Sequence, residues 1–159
     1  MANVSPIPAG YHSVTPYIIV TDSNEAIEFY KRAFGAEEIM RMPGPGGRII
    51  HAEIRIGDSV VMLSDEYPDM GNKAPINAGC TTAALMVYVP DVDASYAKAV
   101  AAGAKSAMPV ENMFWGDRYG QVIDPYGHRW SLATHVEDLS PAEMEQRQQE
   151  FFAKMKAAS

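Results

Sequence analysis

The stretch Arg48–Ser64, RIIHAEIRIGDSVVMLS, decides the fold. Apolar and β-branched residues alternate with polar ones on both sides of Gly57-Asp58, a dipeptide suited to a two-residue turn, and this pattern predicts a β-hairpin. If Ile56 pairs with Ser59, every second residue shares a face. The apolar face then holds Ile50, Ala52, Ile54, Val61 and Leu63. The other face, called the mixed face below, holds His51, Glu53, Arg55, Val60, Met62 and Ser64. A helix can cover the apolar face, so the mixed face looks into solvent or into a pocket.

Composition narrows the class of protein. The chain has 159 residues, a formal charge of -7 and one cysteine, Cys80. Lys and Arg form no cluster, which argues against nucleic-acid binding, and a single cysteine excludes an internal disulfide framework. There is no signal peptide and no apolar run of about 18 residues, so we expect a cytoplasmic protein that does not bind membranes.

The pattern around the hairpin divides the chain into segments. Residues 1–11 predict an irregular lead-in, and residues 12–65 predict a strand, a helix and three further strands. Residues 66–80 are rich in Pro, Gly and Asn and predict a linker. Residues 81–136 repeat the strand–helix–three-strand pattern, and residues 140–157 predict a C-terminal helix. The fold class is therefore α+β, with two tandem βαβββ modules.

The two modules correspond to each other at an offset of 68 to 70 residues. Val20-x-Asp22 matches Val89-x-Asp91 before each helix, and Gly35-Ala36 matches Gly103-Ala104 after it. This repeat of the end signals indicates an internal duplication.

The C-terminal helix begins with a capping box, Ser140 to Glu143. Its apolar stripe consists of Met144, Phe151, Phe152 and Met155. We expect this stripe to pack either on the protein's own sheet or on a partner subunit.

At this point the residues resemble a known family. FYKRAFGAE, HAEIRIGDSVVMLSDE and FWGDRYGQVIDPYGHRWSLATH resemble the vicinal oxygen chelate superfamily, which includes glyoxalase I, bleomycin-resistance proteins, extradiol dioxygenases and fosfomycin-resistance enzymes. Within it the chain is similar to the PhnB-like group. The resemblance covers about residues 12–136 and implies that the two modules curl into an open, eight-stranded, barrel-like cup around a ligand.

Enzymes of this superfamily hold a divalent metal in the cup. The resemblance places their ligand positions at Thr15 and Met62 in the first half and at Ala84 and Ser131 in the second. None of the four supplies imidazole, thiolate or carboxylate, so we predict no metal and no other cofactor.

His51 and Glu53 are two apart on one strand and face the same way. They are candidate catalytic residues for acid–base work, with burial raising the pKa of Glu53; the alternative is a hydrogen-bonded pair that shapes a pocket. A further alternative is a divalent metal at a non-standard site, with His135 or Asp117 as third donor.

In the second half, counting across a four-residue turn at Asp124–Gly127 places Arg118 on the face of Ser131 and His135. Arg118 is then a candidate for gripping a polar ligand group, the alternative being a structural pair with Glu53 or Asp117. The predicted ligand-binding residues, chosen for their place on the cup wall, are Thr15, Tyr17, Met62, Ala84, Met86, Trp115, Arg118 and Ser131.

Three functions fit these features. We favour a metal-free protein that binds and sequesters a small molecule, as bleomycin-resistance proteins do. The alternatives are an enzyme, a glyoxalase-like lyase or a dioxygenase, and a dimerisation module whose cup is filled by side chains. The resemblance and the apolar stripe of the C-terminal helix predict a homodimer.

Overall fold

A computed structural model describes residues 4–157. The predicted lead-in extends to residues 1–3, which lie outside the described residues. The first half contains β1 (Tyr17–Val20), α1 (Ser23–Phe34), β2 (Glu37–Pro43), β3 (Ile49–Ile56) and β4 (Ser59–Asp65). Only the last part of the predicted first strand is a strand, because residues 12–16 are irregular and Pro16 directly precedes β1.

A short helix, α2 (Pro75–Ala78), lies in the connecting segment. The second half contains β5 (Ala84–Tyr88), α3 (Val92–Ala102), β6 (Lys105–Asn112), β7 (Asp117–Ile123) and β8 (Arg129–His135), and α4 (Pro141–Ala157) ends the described chain. Among the described residues no helix combines the length and the apolar character needed to cross a membrane.

Each half forms one four-stranded mixed sheet, with strand orders β1-β4-β3-β2 and β5-β8-β7-β6. β1 runs parallel to β4, and β5 runs parallel to β8. The predicted α+β class with two βαβββ modules and a C-terminal helix is confirmed. Strand pairing among residues 4–157 does not join the two sheets into a closed barrel.

The helices begin and end where the sequence signals lie. Asp22 caps α1 by accepting the amide of Glu25 at 3.0 Å, and Asp91 caps α3 by accepting the amide of Ala94 at 2.9 Å. Gly35, in the left-handed region at φ 68°, ends α1. These end signals fix the two helices at the same place in each module.

The apolar faces of both sheets contribute to one core around α1 and α3. Phe34 on α1 packs on Trp130 of β8, with ring centroids 4.6 Å apart. The Tyr30 hydroxyl donates to Asp124 Oδ2 at 2.7 Å, a buried hydrogen bond between the two halves. The face of β7 and β8 that carries Tyr119, Gln121 and Ser131 lies opposite this core and is called the mixed face of the second half.

The first hairpin has the predicted register, since Ile56 pairs with Ser59 and Glu53 pairs with Met62. One assignment is wrong: Ile50 is 41% exposed, and Ile49 is buried in its place. The register between β2 and β3 shifts at Met42/Pro43, which turns the start of β3 relative to the rest of the strand.

The register predicted for the second hairpin is also wrong. Ile123 pairs with Arg129, and the amide of Asp124 donates to the carbonyl of His128 at 2.9 Å, so the loop contains three residues. The predicted turn contained four residues. Because one residue of slip reverses the faces, Arg118 lies opposite Thr134, on the face that carries the core.

The α4 helix docks on the loop that precedes β7. The Ser140–Glu143 capping box forms, and Phe151 packs on Phe114 with ring centroids 5.3 Å apart. Phe152 remains 47% exposed. The stripe therefore packs partly on the protein's own second half.

Candidate functional site

The mixed face of the first half carries a chain of hydrogen bonds that ends on a buried carboxylate. The Tyr17 hydroxyl lies 3.2 Å from His51 Nδ1, and His51 Nε2 lies 3.0 Å from Glu53 Oε1. The other Glu53 oxygen accepts a short hydrogen bond from the Tyr11 hydroxyl. In the tautomer with the proton on Nε2, His51 donates to Glu53 and accepts from the Tyr17 hydroxyl at Nδ1, so both ring nitrogens are hydrogen-bonded.

Tyr11 completes this site and was not predicted. It lies in the irregular segment before β1, where no periodicity indicates the direction of a side chain. The segment reaches back over the mixed face and brings the Tyr11 hydroxyl to Glu53. The contact joins residues 42 positions apart, and no local pattern in the sequence reveals it.

The environment of Glu53 corrects the predicted direction of its pKa. Burial acts to raise the pKa, but the hydrogen bonds from Tyr11 and His51 outweigh burial and lower it. Glu53 is therefore held as a carboxylate. The same hydrogen bond raises the pKa of Tyr11, which keeps its proton.

The second half carries a polar cluster at matching positions. Gln121 pairs with Ser131 across the ladder, as Glu53 pairs with Met62 in the first half. The Tyr119 hydroxyl lies 2.8 Å from Ser131 Oγ, and Gln121 Nε2 donates to the Tyr119 oxygen at 2.5 Å. Tyr119 and Gln121 were missed because the predicted register put them on the opposite face.

A second buried carboxylate, Asp117, lies at the start of β7 and accepts hydrogen bonds from three side chains. Its Oδ2 accepts from the Tyr88 hydroxyl at 3.1 Å and from Trp115 Nε1 at 3.0 Å. Its Oδ1 lies 2.8 Å from His135 Nδ1. The hydrogen bonds to Asp117 and then to Asp138 raise the pKa of His135. Trp115, a predicted ligand-binding residue, is thus anchored by its indole N–H.

The Arg118 side chain does not lie on the face that was predicted to line the cup. It forms a two-pronged ion pair with Asp93 at the start of α3, with both N–O distances 2.6 Å, and it also donates to Asn112 at 3.1 Å. The cause is the reversed face of β7, which turns Arg118 toward α3. The predicted structural alternative named other partners, Glu53 and Asp117.

The other predicted residues fall into two groups. A cleft of about 1020 Å³ between β1 and β5 is lined by Thr15, Tyr17, Ala84 and Met86, among others. Met62 and Ser131 do not line it, nor do His51 and Glu53. Among residues 4–157, no hydrogen bond, ion pair or ring contact joins the mixed face of one half to that of the other. The cleft therefore brings together four of the eight predicted ligand-binding residues, two from each half.

The positions where the superfamily's enzymes bind metal do not fit a divalent cation. Ala84 has no donor atom, and Met62 offers only a thioether. The Thr15 hydroxyl donates to the carbonyl of His12, and the Ser131 hydroxyl is engaged with Tyr119. The described residues also contain no group of three or more His, Cys, Asp and Glu side chains that could hold a metal ion.

Two βαβββ modules, each with an apolar face on a shared core and a mixed face outside, define a protein of the vicinal oxygen chelate type. The chain belongs to the Glyoxalase/Bleomycin resistance protein/Dioxygenase superfamily, whose family model matches residues 10–132.

Three known proteins illustrate this membership. Rv0887c of Mycobacterium tuberculosis, described as uncharacterized, is 43% identical over 136 residues, which cover 84% of this chain and 80% of that protein. The crystal structure of TioX from Micromonospora sp. ML1 is 29% identical with a TM-score of 0.61, covering 79% of this chain and 99% of TioX. A PhnB protein from Bacillus cereus, at 21% identity and a TM-score of 0.61, shares the fold; the match covers 77% of this chain and 99% of that protein.

Proposed function

We propose that the protein binds small aromatic molecules on its mixed faces and sequesters them without a bound metal. The observation that carries this proposal is the state of the two buried carboxylates. Glu53 has both oxygens engaged and a lowered pKa, and Asp117 accepts three hydrogen bonds. When both oxygens of a carboxylate already accept hydrogen bonds, the carboxylate holds the aromatic side chains around it in place. Such a carboxylate is poorly suited to exchanging protons with a substrate.

The aromatic and thioether groups beside these carboxylates supply the binding surface. Tyr17 is 48% exposed, Tyr88 is 62% exposed and Met86 is 43% exposed. The Tyr17 and Tyr88 hydroxyls are both fixed by hydrogen bonds, which leaves their rings as rigid apolar surfaces. Such surfaces with a few polar groups are typical of small-molecule sites.

The test is a thermal-shift screen with a panel of aromatic compounds, followed by chromatography of each compound after incubation. We expect stabilisation by some compounds, loss of that stabilisation in the His51→Ala or Trp115→Ala variant, and recovery of the compound unchanged. Consumption of a compound would support the alternative, an enzyme that uses His51 and Glu53. Failure of every compound to stabilise the protein would favour a dimerisation module.

Metal content is tested separately. The residues at the superfamily's ligand positions supply no imidazole or carboxylate, so protein purified without a histidine tag should contain well under one metal ion per chain by elemental analysis. Stoichiometric zinc, nickel, iron or manganese would contradict the proposal.

We infer further that the complete cup forms in a homodimer. β1 and β5 are edge strands, and the cleft between them is lined by more apolar than polar surface. A twofold axis that places β1 of one chain beside β5 of the other makes the same contact twice and closes the assembly. The mixed face of one first half then adjoins the mixed face of its partner's second half.

Mixing two inactive variants tests this arrangement. Consider a dimer of one His51→Ala chain and one Trp115→Ala chain. If each cup combines the first half of one chain with the second half of the other, one cup carries both substitutions and the other carries neither. We therefore expect co-expressed variants, isolated as mixed dimers with two affinity tags, to regain half of the wild-type binding sites. Cups formed within single chains would each carry one lesion, and no binding would return.

A further inference from the structure

The two ring nitrogens of His135 contact carboxylates of different kinds. Its Nδ1 is held by buried Asp117, while its Nε2 lies 3.0 Å from Asp138 Oδ1. The His135 side chain is about half exposed, and that of Asp138 is fully exposed. Asp138 follows the end of β8, in the segment that leads to α4. The two carboxylates on this imidazole thus differ in burial.

The two carboxylates also differ in how easily a ligand can replace them. Asp117 is buried and accepts from Tyr88 and Trp115 as well as from His135, so its displacement would cost three hydrogen bonds at once. An exposed ion pair such as His135–Asp138 contributes little, because solvent screens it. The carboxylate of a ligand can therefore take the place of Asp138 at little cost.

An aromatic surface adjoins this position. Tyr88 and His135 bind the two oxygens of the same Asp117 carboxylate, so their side chains lie side by side. The Tyr88 ring is 62% exposed although its hydroxyl is fixed. Met86 lies on the same face of β5 and is 43% exposed. Trp115 also donates to Asp117, and its ring packs on that of Tyr119 with centroids 5.6 Å apart.

We propose that this corner of the second half binds small aromatic carboxylic acids, with the ligand ring on Tyr88 and Met86 and its carboxylate on His135 Nε2 in place of Asp138. The inference rests on the binding function proposed above and names its ligand class. In the free protein, the Asp138 side chain occupies the position of the ligand carboxylate.

The charges of the cluster agree with this assignment. Hydrogen bonds to Asp117 and Asp138 raise the pKa of His135, which favours an imidazolium with a donor on both nitrogens. Exchange of one carboxylate for another at Nε2 leaves the hydrogen-bond pattern unchanged. The nearby acidic residue Glu137 is paired with Arg147 of α4 at 2.5 Å, so its charge is compensated.

The test compares 2-naphthoate with its methyl ester by isothermal titration calorimetry on the full chain. His135→Gln should weaken binding of the acid by at least about tenfold, since a hydrogen bond to a charged group is lost. Asp138→Asn should strengthen it by about two- to fivefold, because a competing exposed carboxylate is removed. The ester should bind more weakly and respond to neither substitution.

Asp58→Asn, which removes an exposed carboxylate in the β3–β4 turn, is the matched control for net charge and should leave the affinity unchanged. Equal affinity for acid and ester, or weaker binding in Asp138→Asn, would overturn the inference. If neutral aromatic compounds bind and 2-naphthoate does not, only this inference fails. If no compound in the aromatic panel binds, the proposed function fails with it.

Discussion

At Glu53, burial and hydrogen bonding act on the pKa in opposite directions, and hydrogen bonding prevails. The folded protein therefore holds this carboxylate ionised more tightly than the unfolded chain does. A lowered folded pKa stabilises the fold at every pH above the unfolded value, and that stability is lost as the pH falls through the folded value. Glu53 thus contributes to stability at neutral pH and ceases to do so in acid.

The Tyr11→Phe substitution tests this balance. Without the Tyr11 hydroxyl, burial still raises the pKa of Glu53 while one of the two opposing hydrogen bonds is gone, so we expect that pKa to rise. The acid loss of stability that Glu53 causes should then be smaller and should be complete at a higher pH. Carbon-13 NMR of the Glu53 carboxyl and thermal melts across acid pH measure the two effects. Tyr17→Phe is the control, because that hydroxyl contacts His51, and an equal rise in this variant would contradict the assignment.

The pKa of His135 is shifted in the opposite direction from that of Glu53, because hydrogen bonds to Asp117 and Asp138 raise it. A raised folded pKa stabilises the fold below the unfolded histidine value, and this contribution is lost as the pH rises through the folded value. Imidazole proton NMR should therefore place the pKa of His135 above that of an unstructured histidine. Asp117→Asn should lower it more than Asp138→Asn does, and a pKa that neither substitution changes would contradict the proposed partners.

At the scale of elements, the two hairpins show what the sequence can and cannot predict. Gly57-Asp58 admits one two-residue turn, so the register of β3 and β4 followed from the sequence. Asp124-Pro125-Tyr126-Gly127 admits more than one loop length. The Asp124 side chain selects the three-residue loop by accepting the amides of Tyr126 and His128, both at 2.9 Å. A side-chain contact of this kind leaves no periodic pattern in the sequence. The predicted register was therefore off by one residue, which assigned every side chain of β7 to the wrong face.

The same loop supports a prediction about Gly127. A Cβ atom there would lie 2.6 Å from the backbone nitrogen of Ile76, which donates to the Tyr126 carbonyl at 3.0 Å. Gly127 also has φ +91°, while Gly46 has φ +72° and open space around it. Gly46→Ala should therefore cost only the left-handed conformation, about 1–2 kcal/mol. Gly127→Ala should cost clearly more, because α2 must shift away from the loop.

Urea denaturation of the two variants measures this difference in the free energy of unfolding. Equal losses would mean that α2 yields without cost and that the close approach contributes nothing to stability. A larger loss for Gly127→Ala would show that the connecting segment is held by the second hairpin.

At the scale of the whole molecule, the repeated end signals predicted two modules, but they could not predict how the modules meet. Periodicity shows which face of a sheet is apolar and leaves open which surface covers it. In this protein α1 and α3 pack together and both apolar faces contribute to one core. Within residues 4–157 no hydrogen bond, ion pair or ring contact joins the two mixed faces, and the cleft between β1 and β5 brings together only some of the residues predicted for the cup.

The Tyr30–Asp124 hydrogen bond connects the modules and can be removed with little change in shape. Tyr30 is fully buried, and burial raises its pKa well above the ordinary value, so its hydroxyl stays protonated and donates to Asp124 at 2.7 Å. Tyr30→Phe leaves Asp124 with its donors from Trp130, Tyr126 and His128. We expect the free energy of unfolding to fall by about 1.5–3 kcal/mol, the range for a hydrogen bond to a charged group.

Tyr126→Phe is the matched control for this last prediction. Its ring packs in the same cluster, 6.2 Å from that of Tyr30, but among residues 4–157 its hydroxyl makes no hydrogen bond. Urea denaturation should show a loss in Tyr30→Phe well above that in Tyr126→Phe, with a single transition in both variants, because the two modules share one core. Equal losses would mean that the Tyr30–Asp124 hydrogen bond does not couple the modules. Two separate transitions in the wild-type protein would mean that each module folds on its own.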